Sequence, residues 1–254
     1  MTNEEKIALF EKEVSYMEIE NIKDFFKKAI TLVPDYFFEV PAASSGKFHS
    51  VLECGFGGLV YHTRSVAKVA NYLVNLQQYK SKLNEVEKDC VICAALLHDC
   101  LKHDWENKTG FSVHQHPVLA ADFIKTDNRL DEIVNNEIRT MISDAVASHS
   151  GEWTTSKRSK VVLPSPQTLV QELVHLSDYI ASRSDIHILF EGEDNKPKMP
   201  DLNEFKLTFG RHLGKTIPQI AVTDRGWLVW ARDNLTREPL VTLIKKYLDE
   251  EDEI

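Results

Sequence analysis

Six side chains carry the chemistry that this sequence offers: His62, the adjacent His98 and Asp99, His116, His149 and Asp178. Imidazoles mixed with carboxylates suit a borderline divalent transition metal, Mn, Fe, Co, Ni or Zn, better than Ca. Neighbouring helical residues project about 100° apart. His98 and Asp99 can therefore share one ion only if it lies beyond or beside a helix end, where other helices complete the set. Lys102 lies three residues on in Leu96-Leu97-His98-Asp99-Cys100-Leu101-Lys102. Singly, each histidine near a helix end has an ordinary hydrogen-bonding role as its alternative, and it is the ordered set that argues for ligands. His114 competes with His116, which Pro117 favours by following it; His103, His175, His187 and His212 read as structural.

The elements that must position these residues are helices. Apolar spacing of three and four predicts helices over 4–18 and 21–32, which read as an N-terminal cap over 1–39. Pro34 and Pro41 break the pattern, and a small-residue loop carrying Lys47 and His49, both substrate-side candidates, leads into the glycines Gly55, Gly57 and Gly58. From there the pattern predicts a long helix to about Tyr79 with His62 in its first turns, then a helix from about Glu85 to Asp99. Pro117 suits a first helical position, so a helix begins at His116-Pro117. Further helices are expected over 128–148, ending at His149-Ser150-Gly151-Glu152-Trp153, and from Gln167 to about Ile188 with Asp178 midway. Lys157, Arg158 and Lys160 make a basic loop suited to gripping a polyanion, and Arg183 follows Asp178 by more than a turn.

The fold expected is an all-α bundle over 40–189, a polar, turn-rich linker over 190–203 and a small α or α+β module over 204–254 with an acidic tail. At 254 residues and 43% hydrophobic, the chain can bury a sizeable core. Its net charge of -9 argues against coating nucleic acid over the whole surface, although residues 204–246 hold eight Lys or Arg against four Asp or Glu. No run of about 18 apolar residues suggests a membrane span, and the acidic start is unlike a signal peptide. Cys90 and Cys93 form a C-x-x-C inside an apolar helical run, without a second pair at zinc-site spacing. With Cys54 and Cys100 they read as reduced thiols of a cytoplasmic protein.

Gly57-Gly58-Leu59-Val60-Tyr61-His62-Thr63, Leu96-Leu97-His98-Asp99, His149-Ser150-Gly151-Glu152 and Ser177-Asp178-Tyr179-Ile180 together resemble the HD superfamily of metal-dependent phosphohydrolases. The similarity runs over roughly residues 40–188 and is greatest to the branch of HD-domain 3'-to-5' exoribonucleases. It implies that His62, His98, Asp99 and Asp178 hold one ion, that His116 and His149 hold a second, and that Asp99 bridges them. It further implies that an activated water attacks phosphorus while Lys102 meets a phosphate oxygen. Leu101 departs from the glycine of the corresponding HD-x-x-K pattern, and Ser150 stands where dinuclear relatives often have a second histidine. One ion or two is therefore open, as is the choice between single-stranded nucleic acid and a small nucleotide as substrate.

Gly210-Arg211-His212-Leu213-Gly214-Lys215-Thr216 has three residues between its glycines where a P-loop needs four, and no apolar strand precedes it. Phe209 to Ile217 and Asp224 to Trp230 instead resemble the small C-terminal domain of exodeoxyribonuclease X and related nucleases. That resemblance implies a single-strand-binding surface of aromatics and cations. The alternative is that Trp227 and Trp230, three apart on a helix, form the core of the module.

Overall fold

The computed structural model describes residues 1–43, 48–106, 111–193, 195, 199–207 and 209–252. It is all-α: among the described residues there is no β-strand, only the isolated bridges Ser156 to Ser159 and Lys206 to Thr216.

The N-terminal region is three helices where the pattern predicts two. Asn3–Ala8 (α1) is held by a capping box between Thr2 and Glu5, Glu11–Val14 (α2) is a single turn, and Glu20–Leu32 (α3) follows. Ahead of α3, Asp89 accepts the backbone N–H groups of Glu18 and Ile19 at 2.9 and 2.7 Å, satisfying donors that a helix start leaves free. Phe10, Phe25, Phe26 and Phe37 are wholly buried, so this region is part of the main core rather than a detachable shoulder.

Gly58–Asn75 (α4) carries His62, and Gln77–Lys80 (α5) is a separate turn. The predicted helix to Tyr79 stops early because the backbone of Leu76 is extended. Glu85–Leu97 (α6) starts on an Asn84–Glu87 capping box and is buried at every position from Lys88 onward. A helix apolar all round belongs at a domain centre, and α6 packs on α3 and α4. It packs equally on two helices further along the chain, Asn136–Ala147 (α8) and Leu169–Ala181 (α9). Ala94 and Ala95, both without exposure, let these neighbours approach closely at the end that delivers His98 and Asp99.

His116–Thr126 (α7) begins at the expected His116-Pro117 and packs on α8. The helix predicted over 128–148 is shorter. Residues 128–130 form a 3-10 turn, and Asn135 then caps α8 by accepting the N–H of Ile138 at 2.9 Å. Likewise α9 starts at a Thr168 cap and ends at Ala181, short of the predicted Ile188.

Part of the expected linker is fastened down. Phe190 is wholly buried, its ring 5.1 Å from that of Tyr61 and 4.2 Å from the Arg64 guanidinium, and Glu193 pairs with Arg64 through both carboxylate oxygens at 2.6 and 2.8 Å. Polar, turn-rich composition made this stretch look like free linker, but Phe190 and Glu193 find partners on α4.

A second apolar cluster joins Leu207 to Ile217–Asn234 (α10) and Leu240–Asp252 (α11). Asp224 is non-helical inside α10, and its carboxylate restarts the helix by accepting the N–H of Trp227 at 3.2 Å. Trp227 packs partly into this cluster beside His212, while Trp230 stays half exposed.

Candidate metal centre

The chain turns at the end of α6 instead of continuing, and His98 and Asp99 meet the first turns of α4, the start of α7, the end of α8 and the last turn of α9. Each side chain arrives already oriented. The Nδ1 atoms of His98, His116 and His149 donate to the carbonyls of Ala95, Val113 and Val146 at 2.7, 2.7 and 2.8 Å. In the neutral ring this leaves each Nε2 as a bare lone pair.

Those lone pairs face one another. His62 Nε2 lies 3.3 Å from His98 Nε2 and 3.1 Å from Asp178 Oδ1. His116 Nε2 lies 3.2 Å from His149 Nε2 and 3.0 Å from Asp99 Oδ1. Asp99 divides its oxygens: Oδ2 stands 3.3 Å from His98 Nε2 and 3.8 Å from His62 Nε2, while Oδ1 stands toward His116 and His149. Buried Asp99 Oδ1 has no hydrogen-bond donor. Two bare nitrogens and a carboxylate oxygen, out of water and without a proton among them, repel unless a cation lies between. The donors thus form two sets, His62 with His98 and Asp178, and Asp99 with His116 and His149, with the second oxygen of Asp99 also reaching the first set beside His98, and both fit a divalent transition metal.

Behind His62 is a residue that the sequence reading missed. Glu53, 1% exposed, places Oε2 2.8 Å from His49 Nδ1 and 3.3 Å from His62 Nδ1. His62 Nδ1 has no hydrogen-bond partner among the described residues, so Glu53 acts on this imidazole through its charge, which raises the basicity of the ring. The available signal was the four-residue step from His49 to Glu53 in the loop that feeds α4.

Electrostatics separates the rings. Burial pushes the His62 pKa down, but Glu53 and Asp178 outweigh it and bring the value up to about 9. Burial, reinforced by His98 and His116, takes His149 down to about 3. Burial would raise the Asp99 and Asp178 carboxyls; Lys102 and His98 hold the first well below its usual range, and His62 and His98 do the same for the second. The centre without metal thus holds a cationic His62 and a neutral His149 at pH 7.

Above the donors opens a pocket of about 380 Å³. Lys102, expected to reach a phosphate, lines it while ion-paired to Asp99 Oδ2. His49 and Arg183 line it as well. Lys157 and Arg158 do not: they are exposed on the 154–166 loop, and Lys47 lies outside the described residues. The structure adds Trp153, Tyr179 and His175. His175, read as structural, donates from Nδ1 to the His149 carbonyl at 2.9 Å. Its ring fills the space over Gly151, where a Cβ would come within 2.1 Å of it, and Gly151 has the φ of +63° that glycine tolerates best.

Residues 59–183, from the start of α4 to just past α9, match the family model of the HD domain. The chain carries an HD domain. Neither the curated proteins nor the solved structures gave a match. An HD domain places the chain among metal-dependent phosphohydrolases, in keeping with the two donor sets, and the match covers every element that delivers a donor to them.

One consequence for the HD centre is measurable without a substrate. A metal ligand must be deprotonated, so an ion entering the first set displaces the His62 proton, whereas His149 has none to give above about pH 3. Calorimetry of Mn binding in buffers of different ionisation enthalpy should register roughly one proton released at pH 7, with affinity rising up to about tenfold per pH unit toward pH 9. Flat affinity between pH 6 and 8 without proton release contradicts this.

Proposed function

We propose that the HD centre hydrolyses phosphodiester bonds in single-stranded nucleic acid in the cytoplasm, in the manner of the HD exoribonuclease branch. The observation that carries this reading is the division of Asp99 between two donor sets on the floor of one open pocket. Divalent ions held by these residues would supply Lewis-acid neutralisation of phosphoryl charge and lower the pKa of a bound water.

The protein's own part is positioning. Backbone-anchored His98, His116 and His149 hold fixed directions, so little reorganisation is needed as charge develops. Lys102 offers its ammonium to a non-bridging oxygen from the pocket wall, and Arg183 adds a second cation at the mouth. Four free, buried cysteines suit a reducing compartment.

The groove beside α10, lined by Arg211, Trp227 and half-exposed Trp230, supports a second contact with the strand. Aromatic faces and cations are what single-strand binding uses. This is the role that the exodeoxyribonuclease X resemblance implies for residues 204–254.

A nucleotidase acting on small nucleotides is the second reading, favoured by Ser150, which lines the pocket next to His149 and leaves the second set three protein donors. Full-length protein with Mn is expected to shorten a labelled single-stranded oligonucleotide and to leave a panel of nucleoside monophosphates intact. Orthophosphate release from the monophosphates with an unchanged oligonucleotide would sink the nuclease reading in favour of the nucleotidase.

A further inference from the structure

Trp153 and Tyr179 lie on the pocket wall with ring centroids 5.7 Å apart and planes within 8° of parallel. Trp153 is 50% exposed and Tyr179 39%. The Arg183 guanidinium sits 4.2 Å from the Tyr179 ring centroid, close enough for a cation–π contact. Large apolar rings left half in water on a pocket wall, with hydrophilic residues around them, mark a ligand surface more than a folding requirement.

The wall is tied to the metal centre by short, stiff connections. Asp178 and Tyr179 are consecutive on α9, and Trp153 follows His149 by four residues through the Gly151 turn. His175 braces both ends of that turn, bonding the His149 carbonyl and setting its ring 5.8 Å from that of Trp153. A phosphate held over the donors therefore has an aromatic face on the wall of the same pocket.

We infer that Trp153 and Tyr179 form a stacking wall for the base attached to the reacting phosphate, so that the centre selects base-bearing phosphate esters over base-free ones. The inference rests on the reading of the HD centre as a phosphate site and adds to it the part of the ligand that contributes specificity. Any base has a π face, so the wall selects for the presence of a base and not for its identity.

The test is equilibrium binding of the full chain with Mn to adenosine 5'-methylenephosphonate and to its base-free ribose counterpart, neither of which has a cleavable ester oxygen. Stacking on one aromatic is expected to favour the adenosine ligand by roughly 5- to 150-fold. Trp153→Ala should erase that preference while leaving the ribose ligand's affinity unchanged, and Trp153→Phe should keep most of it. Equal binding of the two ligands, a preference that survives Trp153→Ala, or binding of neither overturns the inference. Hydrolysis is scored separately on an oligonucleotide. A protein that keeps the Trp153-dependent preference but cleaves no ester refutes the proposed reaction and leaves the wall standing; cleavage without the preference does the reverse.

Discussion

Asp99→Asn is expected to lower hydrolysis by on the order of 10³-fold, about 4 kcal/mol of barrier, while leaving the fold intact. An amide keeps the shape of the side chain and an oxygen for Lys102. It lacks the charge to face two cations at once, and its nitrogen turns a bare lone-pair acceptor into a donor. Because both donor sets draw on the two Asp99 oxygens, one substitution damages both, which replacement of His116 or Asp178 alone does not. Alanine is the poorer probe, since it strands the buried Lys102 ammonium without its partner, a change that costs about 3 to 5 kcal/mol in other proteins. Activity under saturating Mn, read beside circular dichroism and the melting temperature, separates the two effects. A variant as active as the parent removes Asp99 from the mechanism.

Gly58→Ala is expected to lower stability strongly. A Cβ at this first position of α4 would lie 2.0 Å from the carbonyl oxygen of Glu53, 2.6 Å from its carbonyl carbon and 3.2 Å from Pro41 Cα. All three are backbone atoms, which cannot swing aside, and the Glu53 carbonyl is already committed to the N–H of Ala42 at 2.9 Å. Pro41 and Glu53 must therefore back away from α4. Overpacking of this kind costs about 3 kcal/mol, which at this chain length lowers the melting temperature by roughly 6 to 12 °C. With Glu53 displaced, support for His62 is lost as well. Gly226→Ala is the internal control: it has open space and an ordinary helical φ, and should be neutral or mildly stabilising. Equal melting temperatures for the two variants would contradict the close approach at Gly58.

The centre was legible in the sequence because its donors sit where helical pattern starts or stops. His98-Asp99 ends the apolar run of α6, His116 precedes a proline, and His149 lies two residues before Gly151. Each such break marks a helix end, and helix ends are where side chains from several helices can meet. Helix lengths were less legible. Polar stretches with a few apolar residues at helical spacing, such as 128–135 and 182–188, are pulled out of helix by side chains that cap the next helix or by turn geometry. Glu53 and Trp153 were missed for a different reason. The role of Trp153 comes from Tyr179, which no local spacing signals, and that of Glu53 from His62, for which the step from His49 was the one local signal. The 190–195 segment shows the same limit, since its burial depends on Tyr61 and Arg64 more than a hundred residues earlier.

The account turns on two donor sets sharing one carboxylate. Elemental analysis of the native full-length protein, purified without added metal or chelator, tests this most directly when paired with the same measurement on a variant in which His116 and His149 are both alanine. Two divalent ions per chain in the parent and one in the variant are the predicted result. A parent that binds no transition metal, or a variant that retains both ions, would contradict the shared centre built on Asp99.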